Sequence, residues 1–255
     1  MLIYFSATGN TKHLVEEIAY EDEEIIAIDN ADKIKEINLG KNDRLGILAP
    51  TYAGGLPENL KVFLENLIIN YTSHPYTFYI GTCGGSTGFS SKELRDIFIK
   101  KGMELEASFS IKMPDAFLLL TDVNDKEKIN RINKQADREI LNIKQKLDSG
   151  AIGDFVESKL PKAIASAVQS AYGKFRLTDK FKVSNACISC GICARDCPVD
   201  TIKITMDRPT WVKESCLLCL RCLHACPTNA ISYGKKTKGR GQYLHPSYHD
   251  NLDEL

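Results

Sequence analysis

Eight of the nine cysteines lie between Cys187 and Cys226, in two runs with the same spacing. The first run is Cys187-Ile-Ser-Cys-Gly-Ile-Cys-Ala-Arg-Asp-Cys-Pro198, and the second is Cys216-Leu-Leu-Cys-Leu-Arg-Cys-Leu-His-Ala-Cys-Pro227. Three thiolates separated by two residues can converge only if the backbone wraps around a compact object. This spacing is typical of a [4Fe-4S] cubane whose fourth ligand comes from the other run.

Exchange of the fourth cysteine divides the eight thiols into two ligand sets. Cluster 1 is expected to be bound by Cys187, Cys190, Cys193 and Cys226, and cluster 2 by Cys216, Cys219, Cys222 and Cys197. Structural zinc favours two cysteine pairs on either side of a long spacer, and disulfides are less compatible still with a reducing compartment, so both are weaker alternatives. Over residues 181–233 the sequence resembles the two-cluster bacterial ferredoxins.

A second site is indicated near the start of the chain, between the first expected strand and the first expected helix. Its residues are Ser6, Ala7, Thr8, Gly9, Asn10 and Thr11. The glycine permits a tight turn, while backbone N–H groups and hydroxyls at a helix N-terminus can bind a phosphate without a basic side chain. An ordinary helix N-cap is the alternative. The segment resembles the FMN phosphate loop of flavodoxins, and this resemblance covers about residues 1–150.

Two later loops follow the carboxyl ends of expected strands, where doubly wound folds bind ligands. One contains Pro50, Thr51, Tyr52, Ala53 and Gly54, and the other contains Thr82, Cys83, Gly84, Gly85, Ser86 and Gly88. The flavodoxin resemblance implies that these loops hold the isoalloxazine ring. Tyr52 is the candidate for stacking on the flavin, with a surface aromatic in a turn as the alternative.

The last of these loops departs from the flavodoxin pattern. Gly88 stands where many flavodoxins have an aromatic residue, and Gly85 stands where many have an acidic one. The missing aromatic leads to the hypothesis that one flavin face is open to the clusters or to a substrate. Cys83 is interpreted as a small buried apolar residue, with a redox-active partner of the flavin as the alternative.

Short apolar runs alternate with amphipathic ones in the first half of the chain. Strands are predicted at Leu2–Phe5, Ile25–Ile28, Leu45–Ala49, Thr77–Ile80 and Ala107–Ile111, and helices at Thr11–Tyr20, Ala31–Lys41, Glu58–Ile69, Ser90–Lys101, Lys126–Leu147 and Lys162–Ala171. This alternation predicts an α/β, flavodoxin-like doubly wound domain with a five-stranded parallel sheet, followed by a small α+β two-cluster ferredoxin domain.

The predicted organisation has four parts: 1–150 for the FMN domain, 151–180 for a connecting helix and linker, 181–235 for the ferredoxin domain, and 236–255 for a polar tail that packs loosely or lies over a domain. The 33 basic residues equal the 33 acidic ones, so no overall charge indicates a nucleic-acid partner. No apolar run is long enough for a membrane span, and no signal peptide is evident. We therefore expect a cytoplasmic protein.

As a whole, the sequence resembles the flavodoxin–ferredoxin fusion proteins of anaerobic microbes. The resemblance implies an electron-transfer protein that couples two [4Fe-4S] clusters to FMN, with a redox protein or a small molecule as partner. Two alternatives stay open: a flavoenzyme that reduces a small acceptor at an open FMN face, and a redox or iron–sulfur sensor. No Ser-His-Asp set or catalytic carboxylate pair is present, so the cofactors would carry the chemistry.

Overall fold

A parallel β-sheet organises the first half of the chain. The computed structural model describes residues 1–30, 34–157 and 162–251. The strands of this half are β1 (Leu2–Tyr4), β2 (Ile25–Ala27), β3 (Glu36–Leu39), β4 (Arg44–Pro50), β5 (Ile68–Tyr71), β6 (Tyr76–Cys83), β7 (Ala107–Lys112) and β8 (Gly153–Phe155). Six of them form one sheet in the order β2-β1-β4-β6-β7-β8, and every pair in it is parallel.

Helices cover both faces of this sheet. They are α1 (Asn10–Ile18), α2 (Glu58–Asn66), α3 (Ser90–Lys100) and α4 (Lys126–Asp148). The apolar stripes of α1 and α4 pack with Phe78 and Phe109 on one face, and those of α2 and α3 pack with Tyr79 on the other. Because the central strands are buried on both sides, their sequences are nearly continuous apolar runs.

The predicted α/β fold class is confirmed, with one strand more than expected. The five predicted strands correspond to β1, β2, β4, β6 and β7, and β8 adds a sixth strand beside β7. Because β8 has only three residues, its apolar pattern is too short to distinguish it from a loop.

The helix predicted at 31–41 is wrong where the structure describes this segment. Residues 36–39 form β3, which pairs in parallel with β5, and residues 31–33 lie outside the described residues. In β3, Ile37 and Leu39 are buried while Glu36 and Asn38 are exposed, and this alternation is the two-residue period of a strand. The pairing also explains why α2 ends at Asn66, three residues before the predicted end.

The second half contains one longer helix and a small α+β unit. Its elements are α5 (Lys162–Phe175), β9 (Phe181–Val183), α6 (Ile192–Arg195), β10 (Ile202–Thr205), β11 (Arg208–Trp211), α7 (Arg221–His224) and β12 (Ile231–Tyr233). Strand β9 pairs with β12 and β10 pairs with β11, both antiparallel. Phe181, at the centre of the unit, stacks on Trp211 with ring centroids 4.4 Å apart.

The core of this small unit is not self-contained. Leu118 and Val123, from the loop between β7 and α4, are buried among its leucines, and so is Tyr243 from the C-terminal tail. The tail continues into a short 3-10 turn at Pro246–Asn251, which lies against α1. The tail therefore lies over the parallel-sheet domain, which is one of the two arrangements that the sequence predicted.

Candidate functional site

A cavity of about 850 Å³ opens at the carboxyl ends of β1, β4 and β6. All three predicted flavin loops line it, through Ser6, Ala7, Thr8, Asn10, Thr11, Pro50, Thr51, Tyr52, Ala53, Gly54, Thr82, Cys83, Gly84, Gly85 and Ser86. Gly9 and Gly88 are the two residues of the predicted set that do not line it. Both have left-handed backbones, with φ of 92° and 55°, and both shape the loops instead.

The first loop turns sharply into α1 at Gly9. A Cβ atom at this position would lie 2.9 Å from the Cβ of His245, so the turn has no space for a side chain. Ser6 Oγ accepts a hydrogen bond from Lys12 N at 3.1 Å, which fixes the loop on the first turn of the helix. The hydroxyls of Thr11 and Thr82 are 3.0 Å apart and connect the first loop to the third.

The second and third loops are held against each other by backbone contacts. Phe89 N donates to Gly54 O at 2.6 Å, and Thr51 N donates to Thr82 O at 2.8 Å. A Cβ atom on Gly88 would lie only 2.3 Å from Gly54 O. Gly88 therefore permits a close approach of the two loops, which a larger residue would prevent.

The eight cysteines of the two runs form two groups. Cys187, Cys190, Cys193 and Cys226 line one small cleft together. In the other group, burial raises the pKa of the Cys222 thiol, and the neighbouring thiols of Cys219, Cys216 and Cys197 raise it further. Within the described residues, no group of three or more His, Cys, Asp or Glu side chains is arranged around a single metal ion.

The 29-residue repeat of the sequence is also a repeat of backbone conformation. The left-handed residues occur in pairs at this interval: Ser189 and Leu218, Gly191 and Leu220, Asp200 and Asn229. The hydrogen bonds repeat as well, because Thr201 N donates to Cys197 Sγ at 3.3 Å and Ala230 N donates to Cys226 Sγ at 3.2 Å. Each N–H···S bond orients a fourth cysteine, and such bonds to ligand sulfurs tune cluster potentials.

The second cysteine group lies beside the flavin loops. Leu218 and Cys219 line the same 850 Å³ cavity as the phosphate loop and Tyr52. The structure thus places a predicted ligand of cluster 2 at the wall of the predicted flavin site. Nothing in the sequence indicated which of the two clusters would face the flavin.

Comparison with known families agrees with this arrangement. A family model described as flavodoxin domain matches residues 1–145. The chain belongs to the flavodoxin domain family. A second model, described as 4Fe-4S dicluster domain, matches residues 186–231. No curated protein matches the chain. The two matches confirm the resemblance to flavodoxin–ferredoxin fusions, and the chain is a flavin and iron–sulfur electron-transfer protein.

The flavodoxin domain leaves polar atoms free where FMN would bind. The hydroxyl oxygens of Thr51 and Tyr52 are buried without a hydrogen-bond partner among the described residues, and both residues line the cavity. Buried hydroxyls are normally paired, so these atoms fit a ligand with polar groups. When FMN is bound, it supplies two-electron chemistry that can proceed in one-electron steps.

Tyr52 is turned inward and is half-buried. Its ring lies edge-on to Phe5, with centroids 6.1 Å apart. Burial raises the pKa of the Tyr52 hydroxyl, and the nearby Cys219 thiol raises it further. Tyr52 therefore lies between the flavin loops and the iron–sulfur domain, a position that differs from that of a surface turn aromatic.

Cys83 and Asp115 share one end of the cavity. Cys83 has 9% of its surface exposed, and burial raises the pKa of its thiol to about 11, so it stays protonated at neutral pH. Burial likewise raises the pKa of the Asp115 carboxyl, whose Oδ1 accepts from Phe117 N at 2.9 Å.

Arg221 is the main functional residue that the sequence analysis missed. It lies between the ligands Cys219 and Cys222, and its guanidinium donates to the carbonyls of Ser6 and Ala7 in the phosphate loop. It also forms a buried ion pair with Asp29 at 2.6 Å. One side chain thus connects the second cysteine run with the loop between β1 and α1, which are the predicted sites of cluster 2 and of the FMN phosphate.

Helix α5 closes the cavity from the opposite side and contacts both domains. Gln169 Nε2 donates to Glu93 Oε1 of the flavodoxin domain at 2.7 Å, and the Tyr172 hydroxyl donates to Leu217 O of the 4Fe-4S domain. Beyond its end, Arg176 pairs with Glu58 at 2.6 Å. Residues 167–175 were predicted only as part of a connecting segment, yet they form a wall of the site.

The tail makes a second connection between the domains. Gln242 donates to the carbonyls of Leu223 and Cys226 beside the cysteines, while the Tyr243 hydroxyl donates to Asn10 Oδ1 at 2.6 Å. His245 N donates to Thr8 O at 2.8 Å. No described helix has both the length and the apolar composition needed to cross a bilayer.

Proposed function

We propose that the chain converts between one-electron transfer through two [4Fe-4S] clusters and two-electron transfer at FMN. The ligand sets are those predicted: Cys187, Cys190, Cys193 and Cys226 for cluster 1, and Cys216, Cys219, Cys222 and Cys197 for cluster 2. FMN lies in the 850 Å³ cavity. The proposed domain boundaries are 1–150, 151–180, 181–235 and 236–255. Cysteines that bind clusters and form no disulfides are typical of a reducing compartment, so we propose that the protein is cytoplasmic.

The position of Cys219 carries this proposal. Because it lines the cavity together with Ser6 and Tyr52, electrons can pass between cluster 2 and FMN within one chain. Cys193 of the first set lies on α6 and Cys222 of the second set lies on α7, and these two helices contact each other. The clusters are therefore neighbours, and the order is cluster 1, cluster 2, FMN.

Cluster 1 is the entry point for an external partner in this scheme. Cys190 is exposed, and 63% of the surface of Ile188 beside it is exposed as well. Cys219, by contrast, packs against the core of the flavodoxin domain. We propose a redox protein as the partner, docking over Cys190.

Anaerobic purification with metal, sulfide and flavin assays tests the cofactor assignment. We expect about eight iron atoms and about eight sulfides per FMN, and an electron paramagnetic resonance (EPR) spectrum broadened by two neighbouring reduced clusters. Zinc in place of iron, or protein without flavin, contradicts the proposal.

Stopped-flow reduction by a low-potential one-electron donor tests the route. Cys187→Ser and Cys219→Ser should each slow FMN reduction, because each changes one cluster on the path. Leu141→Ser is the control, since Leu141 is exposed on α4 and lines neither the cavity nor the cysteine cleft, so the rate should be unchanged. Equal rates in all variants contradict a route through the clusters.

A further inference from the structure

The cavity has a second wall that the FMN-binding loops do not form. This wall consists of Phe117, Leu119 and Leu120, from the loop after β7, and of Val168 and Phe175 on α5. Leu120 is 79% exposed and Phe175 is 60% exposed, although both line the mouth of the cavity. Apolar side chains left open around a concave site are typical of a surface that a ligand covers.

The third flavin loop leaves free space near this wall. A Cβ atom on Gly85 would meet no other atom within 4 Å, whereas one on Gly84 would lie 2.5 Å from the Cβ of Asp115. The loop is therefore closed at Gly84 and open at Gly85.

Two lysines and one carboxyl are the charged protein groups of the cavity apart from the cluster ligand. Lys180 ends the connecting segment and Lys236 begins the tail, on either side of the iron–sulfur domain, and both are exposed at the cavity. The predicted phosphate loop binds its anion with backbone N–H groups and hydroxyls, so the FMN phosphate does not need the two lysine side chains. Their charge is complementary to a second anion.

We propose that the space between Gly85 and the second wall binds a small planar organic anion, a conjugated carboxylate with an apolar body, as an electron acceptor of FMN. Lys180 and Lys236 bind its carboxylate, and Leu120, Val168 and Phe175 cover its body. This inference rests on the proposed function, because the electrons arrive through the clusters.

Asp115 lies where such an acceptor would need a proton. Its carboxyl lines the cavity beside Gly84, where a Cβ atom would lie 2.5 Å from the Asp115 Cβ, so it can relay a proton from water to a bound acceptor. Net reduction adds two electrons and two protons to the C=C bond of the acceptor and leaves a C–C single bond. A low-potential protein donor supplies both electrons one at a time, Asp115 supplies one proton, and water supplies the other.

Titration of the oxidised holoprotein with cinnamate tests this site without any turnover. We expect saturable changes in the FMN absorbance spectrum, because the ligand lies against the ring. The neutral analogue cinnamyl alcohol should bind about tenfold more weakly or worse, since it lacks the charge that the lysines recognise.

Matched lysine variants locate the anion. The double variant Lys180→Gln/Lys236→Gln should lose at least about tenfold in cinnamate affinity and keep its FMN affinity and cluster content. Lys182→Gln is the control, since Lys182 is an exposed lysine two residues from Lys180 that lies outside the cavity. Equal binding of the acid and the alcohol overturns the proposal, and so does unchanged cinnamate affinity in the double variant.

The same samples separate this inference from the function on which it rests. If FMN binds and is reduced through the clusters but cinnamate leaves the spectrum unchanged, the acceptor site is wrong and the electron-transfer function stands. If the lysine variants lose FMN, the lysines belong to the flavin site and the acceptor site is again wrong. Protein without FMN refutes both.

Discussion

Arg221 couples the two cofactor sites through a single buried side chain. Its guanidinium donates to Ser6 O, Ala7 O and Asp196 O, and it pairs with Asp29. Lysine cannot replace this planar set of five donors. We expect Arg221→Lys to weaken FMN binding by about tenfold. A fluorescence titration of FMN measures this effect.

Removing the charge at this position should also destabilise the fold. Arg221→Gln leaves Asp29 buried and unpaired, and breaking a buried ion pair in this way costs about 3 kcal/mol. Arg195→Gln is the control, because the Arg195–Asp196 pair is exposed and should change the unfolding free energy by less than about 1 kcal/mol. Chemical denaturation compares them, and equal stabilities would contradict a structural role for Arg221.

Residue types and spacing predict both cysteine sets and the three flavin loops, because the members of each lie close in sequence, and the structure brings the three loops to one cavity. Arg221 and Tyr172 could not be found in this way. Arg221 and its acceptor Ala7 are 214 positions apart, and no local pattern shows that a cluster loop will meet a phosphate loop. Their roles depend on how the two domains pack.

Among the elements, those with a long periodic pattern were the predictable ones. Helix α4 was placed correctly to within one residue because its apolar positions recur over many turns. Strands β3, β5 and β8 have three or four residues each, so pairing with a neighbour decides their conformation. The predicted helix at 31–41 failed for this reason.

The C-terminal tail is the element whose docking should depend on pH. His245 is 4% exposed and stacks on His13 with centroids 4.2 Å apart; Asp137 and Ser247 face the same pair. Burial, and after it the nearby His13, lowers the pKa of His245 from its usual 6.5 to about 4. The docked tail therefore binds a proton less readily than the free tail. The free energy of tail docking is therefore most favourable above about pH 6.5, and it weakens as the pH falls towards about 4.

Hydrogen exchange of the Tyr243–Tyr248 amides tests this dependence. Between about pH 7.5 and about pH 5.5, after correction for intrinsic exchange, protection should decrease in the wild type. It should decrease less in His245→Gln, which carries no titrating ring at this position. The same decrease in both proteins would assign the pH dependence to another group.

At the scale of the molecule, the contacts between the domains predict that FMN binding and cluster assembly are thermodynamically linked. The phosphate loop is held by Arg221 from the 4Fe-4S domain and by His245 from the tail. Cluster assembly folds the segment that carries Arg221, so it should strengthen FMN binding, and the reverse must hold equally. We expect removal of iron by a chelator to weaken FMN binding by at least about tenfold.

Equilibrium dialysis of FMN against chelated and untreated protein measures this linkage. Anaerobic reconstitution with iron and sulfide is the control and should restore the original affinity. Unchanged FMN affinity after complete loss of iron would show that the two sites are independent.

The shared core of the iron–sulfur unit has a consequence for how the protein is made. Leu118 and Val123 belong to the N-terminal half, yet their apolar partners include Leu220, Leu223 and Tyr243. During translation these side chains leave the ribosome long before the residues that will cover them. We expect the nascent N-terminal half to expose the apolar loop between β7 and α4, which is prone to aggregation, until synthesis is nearly complete. The yield of the recombinant protein should therefore depend on chaperones and on the supply of cofactors.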